Sequence, residues 1–328
     1  AFDMASIEKK QYEKTKTSGE LNAADFEYRS EELKNPVFIN TVAVTFNPRT
    51  VSLNSFEGKT GQTDFKAIGT INNLLGFLFN DENVEGNFKL NSNIFSISDF
   101  MVDEIGSGKT KENETPPNER IKIPAFLDAT IDAQANSVIY DNLNLKNVSG
   151  KLRIKDETAT VKDLRSDLFD GKLLMNGAVS TKDAIPTFEM ALGIDGFEIG
   201  ESFKALDLFK VLAPVAEALQ GKLNSDIRIS GNLKDDMTPN LATLTGNLVG
   251  ELLTAKVSTK NASVLRALNN SITFIDLDAL DLNNLKTALS FNEGRVTVKP
   301  IQLNYKDVAI TISGSHSFDK TLNYKALL

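Results

Sequence analysis

The chain has 328 residues, 41% of them apolar, and carries a net charge of −8 from 36 Lys and Arg against 44 Asp and Glu. That composition describes a folded protein of one extended or two compact domains, not a disordered one. The acidic balance argues against a nucleic-acid footprint and gives no reason to expect attraction to anionic headgroups. The absence of cysteine excludes disulfides, thiolate catalysis and sulfur-ligated metal.

Residues 1–35 are polar and charged, and a strand is expected to begin near Phe26-Glu27-Tyr28. The opening, Ala1 with Asp3 and Glu8 close behind, does not read as a signal peptide. The chain lacks a starting Met and stops inside the alternation Leu322, Tyr324, Ala326, Leu328, so it reads as a piece of a longer protein. From Val37 a β-pattern runs to about Met101, broken by the turn Asn47-Pro48. Asn72 to Asn83 is a more apolar break, a short helix or a hairpin end. Its core, Leu74 to Phe79, is far below the roughly 18 to 20 residues of a membrane helix. Gly106 to Arg120 has the composition of a mobile polar loop and marks the internal boundary. The organisation expected is therefore 1–105, an N-terminal β segment; 106–120, the loop; and 121–328, a second β region.

Strands resume at Ile121 and continue to about Asp195, with Phe188, Met190, Leu192 and Ile194 alternating against Glu189 and Asp195. Glu201–Gln220 has apolar residues at helical spacing, with Pro214 as a kink or the start of a second helix and Gly221 as the terminating glycine. Alternation is clearest over Gly221–Leu233, where Leu223, Ile227, Ile229 and Leu233 oppose Lys222, Asn224, Asp226, Arg228, Ser230 and Asn232. A weaker helix is expected at Ser263–Asn269. The sum is a mainly β chain with two short helical inserts.

One β-pattern occurs three times at the same internal spacing. The openers Phe46, Ile154 and Phe291 are each followed after seven residues by Leu53, Val161 and Val298, and after 23 by Gly69, Gly177 and Gly314. Phe65, Leu173 and Ile310 start the alternating runs that end at those glycines. Repetition of a β-unit points to a stacked or extended sheet, which works through a long surface and seldom through a catalytic point.

Candidate chemistry is thin. Gly106-Ser107-Gly108-Lys109-Thr110 and Phe56-Glu57-Gly58-Lys59-Thr60 both lack the first glycine of a phosphate-binding loop. His316 is the single histidine and reads as a surface residue in a strand. Asp276, Asp278 and Asp281 lack the glycine and closing Glu of a calcium loop and read as a solvated edge. Asp163, Asp167 and Asp170 around Phe169 read as turn acids, not a cleft pair. The Asn-x-Ser/Thr triplets at Asn113, Asn147, Asn261 and Asn269 are expected by chance in an Asn-rich chain. No enzyme activity, metal or cofactor is expected.

Each alternating strand carries an apolar column on one face: Phe65, Leu173, Met175, Phe188, Met190, Leu223, Ile227, Ile229, Ile310 and Ile312. These columns line either the core of a β-sandwich or a partly open apolar trough, roughly 15 Å wide for five residues per strand.

The order of several segments resembles the AsmA family's C-terminal region. They are Ile123 to Thr130, Tyr140-Asp141-Asn142-Leu143, Val148 to Leu152, Asp156 to Val161, Leu168 to Leu173 and Asn176-Gly177. Leu219 to Leu223, Ile229 to Leu233 and Leu244 to Leu248 are similar to that family's glycine-punctuated strands. The similarity covers about 121–328 well and 37–101 more loosely, and residues 1–35 resemble envelope proteins of Bacteroidetes-type members only in general style. The resemblance implies an elongated, curved antiparallel β-groove, related to bridge-like lipid transfer proteins. It would stand in the periplasm, tethered to the inner membrane by an N-terminal helix absent from this sequence. It also implies phospholipid as the ligand, passed between inner and outer membrane in support of outer-membrane biogenesis, with the ten residues above lining the groove. The alternative is a sealed, non-enzymatic structural or assembly module that contacts outer-membrane or envelope proteins through its polar faces and the 106–120 loop.

Overall fold

A computed structural model describes residues 18–29, 34–80, 82–100, 122–206, 219–235, 237–257, 280–318 and 321–327, with 5, 8–11 and 14. The protein is mainly β. Sixteen strands are hydrogen-bonded in chain order into one open sheet, with β1 and β16 at its edges. The chain divides into two compact units, Ala1–Leu164 with Ala178–Ala184, and Arg165–Gly177 with Ile185–Leu328.

The first unit holds β1 (Gly19–Tyr28), β2 (Val37–Phe46), β3 (Thr50–Thr60), β4 (Thr63–Asn72), β5 (Val84–Ser96), β6 (Leu127–Tyr140) and β7 (Leu143–Lys155). Helix α1 (Leu74–Asn80) follows β4, so the apolar break at Asn72–Asn83 is a short helix. The first strand starts at Gly19 and not near Phe26. Leu21 and Ala23 pair with Val44 and Val42, so the strand is set by its ladder to β2 and not by burial, Leu21 staying exposed. Neighbours pair antiparallel except β5 and β6, which run parallel. A parallel neighbour needs a crossover connection, and the expected 106–120 loop falls in that stretch, outside the described residues.

One end of β3, β4 and β5 is tied by a buried carboxylate. Asp99, in a 3-10 turn at Ile97–Asp99, accepts through one oxygen from the backbone N–H of Gln62 (2.9 Å) and Thr63 (3.0 Å) and from the Thr63 hydroxyl (2.8 Å). Its other oxygen accepts from Asn35 Nδ2 at 3.3 Å.

Strands β8 (Thr158–Leu168) and β9 (Gly171–Ser180) carry the division between units. The second unit continues with β10 (Thr187–Glu198), β11 (Leu219–Asn232), β12 (Thr245–Val257), β13 (Leu285–Asn292), β14 (Arg295–Tyr305), β15 (Val308–Ser317) and β16 (Leu322–Leu327). Its helix α2 is Ile199–Ala205, starting two residues before the expected Glu201. Gln220 does not end it: Leu219 and Gln220 belong to β11, paired with Val257 and Lys256. Gly221 is therefore a strand glycine. It has φ +127, beside a register shift at Lys222/Leu223, and a Cβ there would overlap the Thr254 carbonyl. The helix expected at Ser263–Asn269 lies outside the described residues.

The threefold repeat corresponds to the hairpins β3–β4, β8–β9 and β14–β15. In the first and third, the residue seven after the opener faces the repeat glycine directly: Leu53 pairs with Gly69 and Val298 with Gly314. Immediately beyond, each first strand carries one extra residue, Leu53/Phe56 against Gly69/Ala67 and Val298/Ile301 against Gly314/Ile312. These are β-bulges, and the third accommodates Pro300, which cannot donate to a ladder. At all three glycines a Cβ would come closer than 3.0 Å to a backbone carbonyl of the next strand, at Asn87, Glu189 and Asn323. Close approach of neighbouring backbone explains why the spacing keeps glycine. Tight turns with both central residues at positive φ join β7 to β8 at Asp156-Glu157, β8 to β9 at Phe169-Asp170 and β13 to β14 at Glu293-Gly294. Phe169 is strained there, and its ring packs edge-on against Phe197 at 5.4 Å.

Candidate functional site

Directly paired residues share a face of the sheet, so register fixes which side chains stand together. In the first unit one row runs Leu53, Gly69, Phe88, Ile131, Leu152 from β3 to β7, and the next runs Phe56, Ala67, Leu90, Ala133, Gly150. Val44 and Val42 extend the rows into β2, and Leu21 and Ala23 extend them into β1. Every residue of these rows from β2 to β7 is half-buried. Side chains on one sheet face shade each other, whereas a second layer takes them out of water, so among the described residues no second layer covers this face over much of its extent. Among the described residues, the buried apolar side chains of this unit are Ile39, Phe65 and Ala129.

The second unit shows the same pattern more deeply buried. Its rows run Met190, Ile229, Gly246, Phe291, Val296, His316 and Leu192, Ile227, Leu248, Leu289, Val298, Gly314. Ile227 is 1% exposed, Phe291 2% and Val296 0%. Helix α2 contributes Ile199 and Phe203, both buried. His316 is buried here and is not the surface residue expected from the sequence. It faces Val296 across the ladder, and its Nδ1 lies 2.8 Å from the Tyr324 hydroxyl. Burial raises the Tyr324 hydroxyl's pKa above its ordinary 10.0.

The ten candidate lining residues divide between these environments. Phe65 is buried in the first unit, its ring 5.0 Å from Phe56 beside the Asp99 turn. Leu223, Ile227, Ile229 and Ile310 are buried in the second unit. Phe188, Met190 and Ile312 lie on that same face, half-buried. Leu173 and Met175 are half-buried in β9. Leu174 Cβ lies 3.7 Å from where a Gly193 Cβ would stand, so alternation sets Leu173 and Met175 on the face of Leu192 and Ile194. The columns of Val42, Val44, Phe88, Leu90, Ile131 and Leu152 were missed; alternation in Val84–Leu90 was the signal that could have found them.

Three hydroxyls, Ser92 Oγ in the first unit and Ser166 Oγ and Thr287 Oγ1 in the second, are out of water without a hydrogen-bond partner among the described residues. The opposite face of the first unit is polar. A depression of about 520 Å³ there is lined by Asp64, Lys66, Asn91, Asn93, Gln134 and Asn136 among others. Burial pushes Asp64 up, but hydrogen bonds from the Ile94 and Asn93 backbone and the Asn93 amide outweigh it and hold the carboxyl below its ordinary value. Asp167 pairs with Lys172 at 2.5 Å, as a turn acid does. Asp281 is exposed and caps Asn283 N–H, while Asp276 and Asp278 lie outside the described residues.

Among the described residues no group of three His, Cys, Asp or Glu could hold a metal ion, and no helix is long and apolar enough to cross a membrane. What the arrangement offers chemically is non-directional burial of hydrocarbon on a sheet face whose backbone groups are already paired. No family model, no curated protein and no solved structure matches the chain.

Proposed function

We propose that this chain is a non-enzymatic, AsmA-like module of the cell envelope. It shields phospholipid acyl chains on an apolar sheet face while headgroups stay wet. Its place is the periplasm, where it conducts lipid between inner and outer membrane in support of outer-membrane biogenesis. The observation that carries the reading is the half-buried apolar face of the first unit, continuous from β2 to β7. Contiguous apolar surface left in water marks a lipid or partner site. Each CH₂ taken out of water on such a face is worth about 0.8 kcal/mol.

Native mass spectrometry with lipid extraction, on protein purified without detergent from a Gram-negative host, tests it. Co-purifying phospholipid at fixed stoichiometry is the expected result. A lipid-free mass that persists after phospholipid is offered refutes it. The deep burial of Ile227, Phe291 and Val296 favours a second reading for the second unit, a sealed scaffold that contacts outer-membrane or envelope proteins through its polar face.

A further inference from the structure

From the contrast in burial we infer that acyl chains reside on the face of the first unit, over Val44, Phe56, Phe88, Leu90, Ile131 and Leu152, and that the second unit's face holds its own core. This localisation rests on the lipid reading above. Two sheet faces of one chain share the same alternation, but every row residue of the first is half-buried from β2 to β7, whereas in the second Met190, Leu192, Gly246, Leu248, Val298 and Gly314 are half-buried and the other six row residues are buried. Ile227, Ile229, Leu289, Phe291 and Val296 fill the corresponding positions of the second and are 0 to 6% exposed.

The first face takes hydrocarbon better than it takes protein. None of the residues in its rows is charged, and the ladder already pairs the strands beneath it, so no extended peptide can add there by backbone hydrogen bonding. Six strands at 4.7–4.9 Å spacing, over about six residues of each, give an area on the order of 600 Å². That is the upper end of what a monomer carries exposed, and it falls below the roughly 800 Å² per partner of a stable protein interface. A second copy of this chain would gain too little contact on this face alone.

The test replaces single phenylalanines by the photoreactive p-benzoylphenylalanine, a change that keeps an aromatic ring. Phe56 and Phe88 report on the first unit, and Phe197 and Phe291, 1% and 2% exposed, on the second. Each variant is irradiated with vesicles of phosphatidylethanolamine and phosphatidylglycerol, and cross-linked lipid is read by intact mass, with circular dichroism confirming the fold. Adducts at Phe56 and Phe88 at least fivefold above those at Phe197 and Phe291 are expected. Equal or greater yield at the second pair overturns the localisation and leaves the lipid reading standing. Protein–protein adducts at Phe56 and Phe88 overturn it in favour of a second copy. No adduct at any of the four, together with a lipid-free native mass, removes both.

Discussion

Among the second unit's glycines with positive φ, two have very different surroundings, which makes a controlled pair. Gly221 in β11 has φ +127, and a Cβ there would overlap the Thr254 carbonyl oxygen of β12. Gly196, at the bulge in β10, has φ +67 and nothing within 4 Å of the Cβ position. Gly196→Ala should cost only the left-handed backbone penalty, about 1 kcal/mol. Gly221→Ala adds strain in a region other residues rarely enter, about 1–3 kcal/mol. It must also push β12 away, losing one or two ladder hydrogen bonds at about 1 kcal/mol each, for a total of about 2–5 kcal/mol. That is a large share of the 5–15 kcal/mol typical of a domain. Urea unfolding followed by circular dichroism measures both, since the chain has no tryptophan. Hydrogen exchange in peptides spanning 219–257 shows whether the loss is local to β11 and β12. Equal costs for the two variants, or a harmless Gly221→Ala, would refute the close-packed bulge.

Asp99→Ala should destabilise by about 3 kcal/mol in the same assay, because three hydrogen bonds to one carboxylate oxygen are lost together in a buried site. Ile227→Ala, at 1% exposure, should cost about 3 kcal/mol, whereas Val44→Ala on the uncovered face should cost about 1 kcal/mol or less, read as a difference in thermal midpoint. Asp64 has a folded pKa below its unfolded one, so its contribution is full above the unfolded value of 3.8 and drains as pH falls through the lowered folded value. The stability gap between the wild type and Asp64→Asn should therefore be widest near neutral pH and close on acidification; a gap independent of pH would sink that account.

Local alternation was legible where one strand has a clean dry side. Leu223, Ile227, Ile229 and Leu233 were assigned to one face, and all four are buried. The first-unit face was harder to read because register shifts at Ile39/Thr41 and Ala43/Val44 break the period of two inside β2, scattering Val42 and Val44 relative to Ile39. Leu219 and Gln220 satisfied a helical spacing as well as a strand. What decides between them is pairing with Val257 and Lys256, far along the chain, which periodicity does not carry. For His316, counting two residues on from Gly314 would have set it on the dry side; the habit of reading a lone histidine as solvated overrode that parity. The spacing of Gly69, Gly177 and Gly314 was readable, but its cause, a carbonyl of the next strand against each glycine, needed the structure.

The parallel seam between β5 and β6 carries a consequence for how the chain reaches this fold. Every other neighbouring pair in the sheet is antiparallel where its register is defined, and chain-adjacent, so most pairings can zip outward from a hairpin with little loop entropy to overcome. Joining β5 to β6 instead requires closing the 30 residues from 97 to 126 before any bond across the seam is made. The entropic part of that closure grows only as the logarithm of length, so lengthening the connection further should slow assembly little. The step itself remains non-local, and β1–β5 and the strands from β6 onward can each organise before it. The seam is thus the place where a nascent chain pauses with two unmatched edges, and where chaperone protection would matter most.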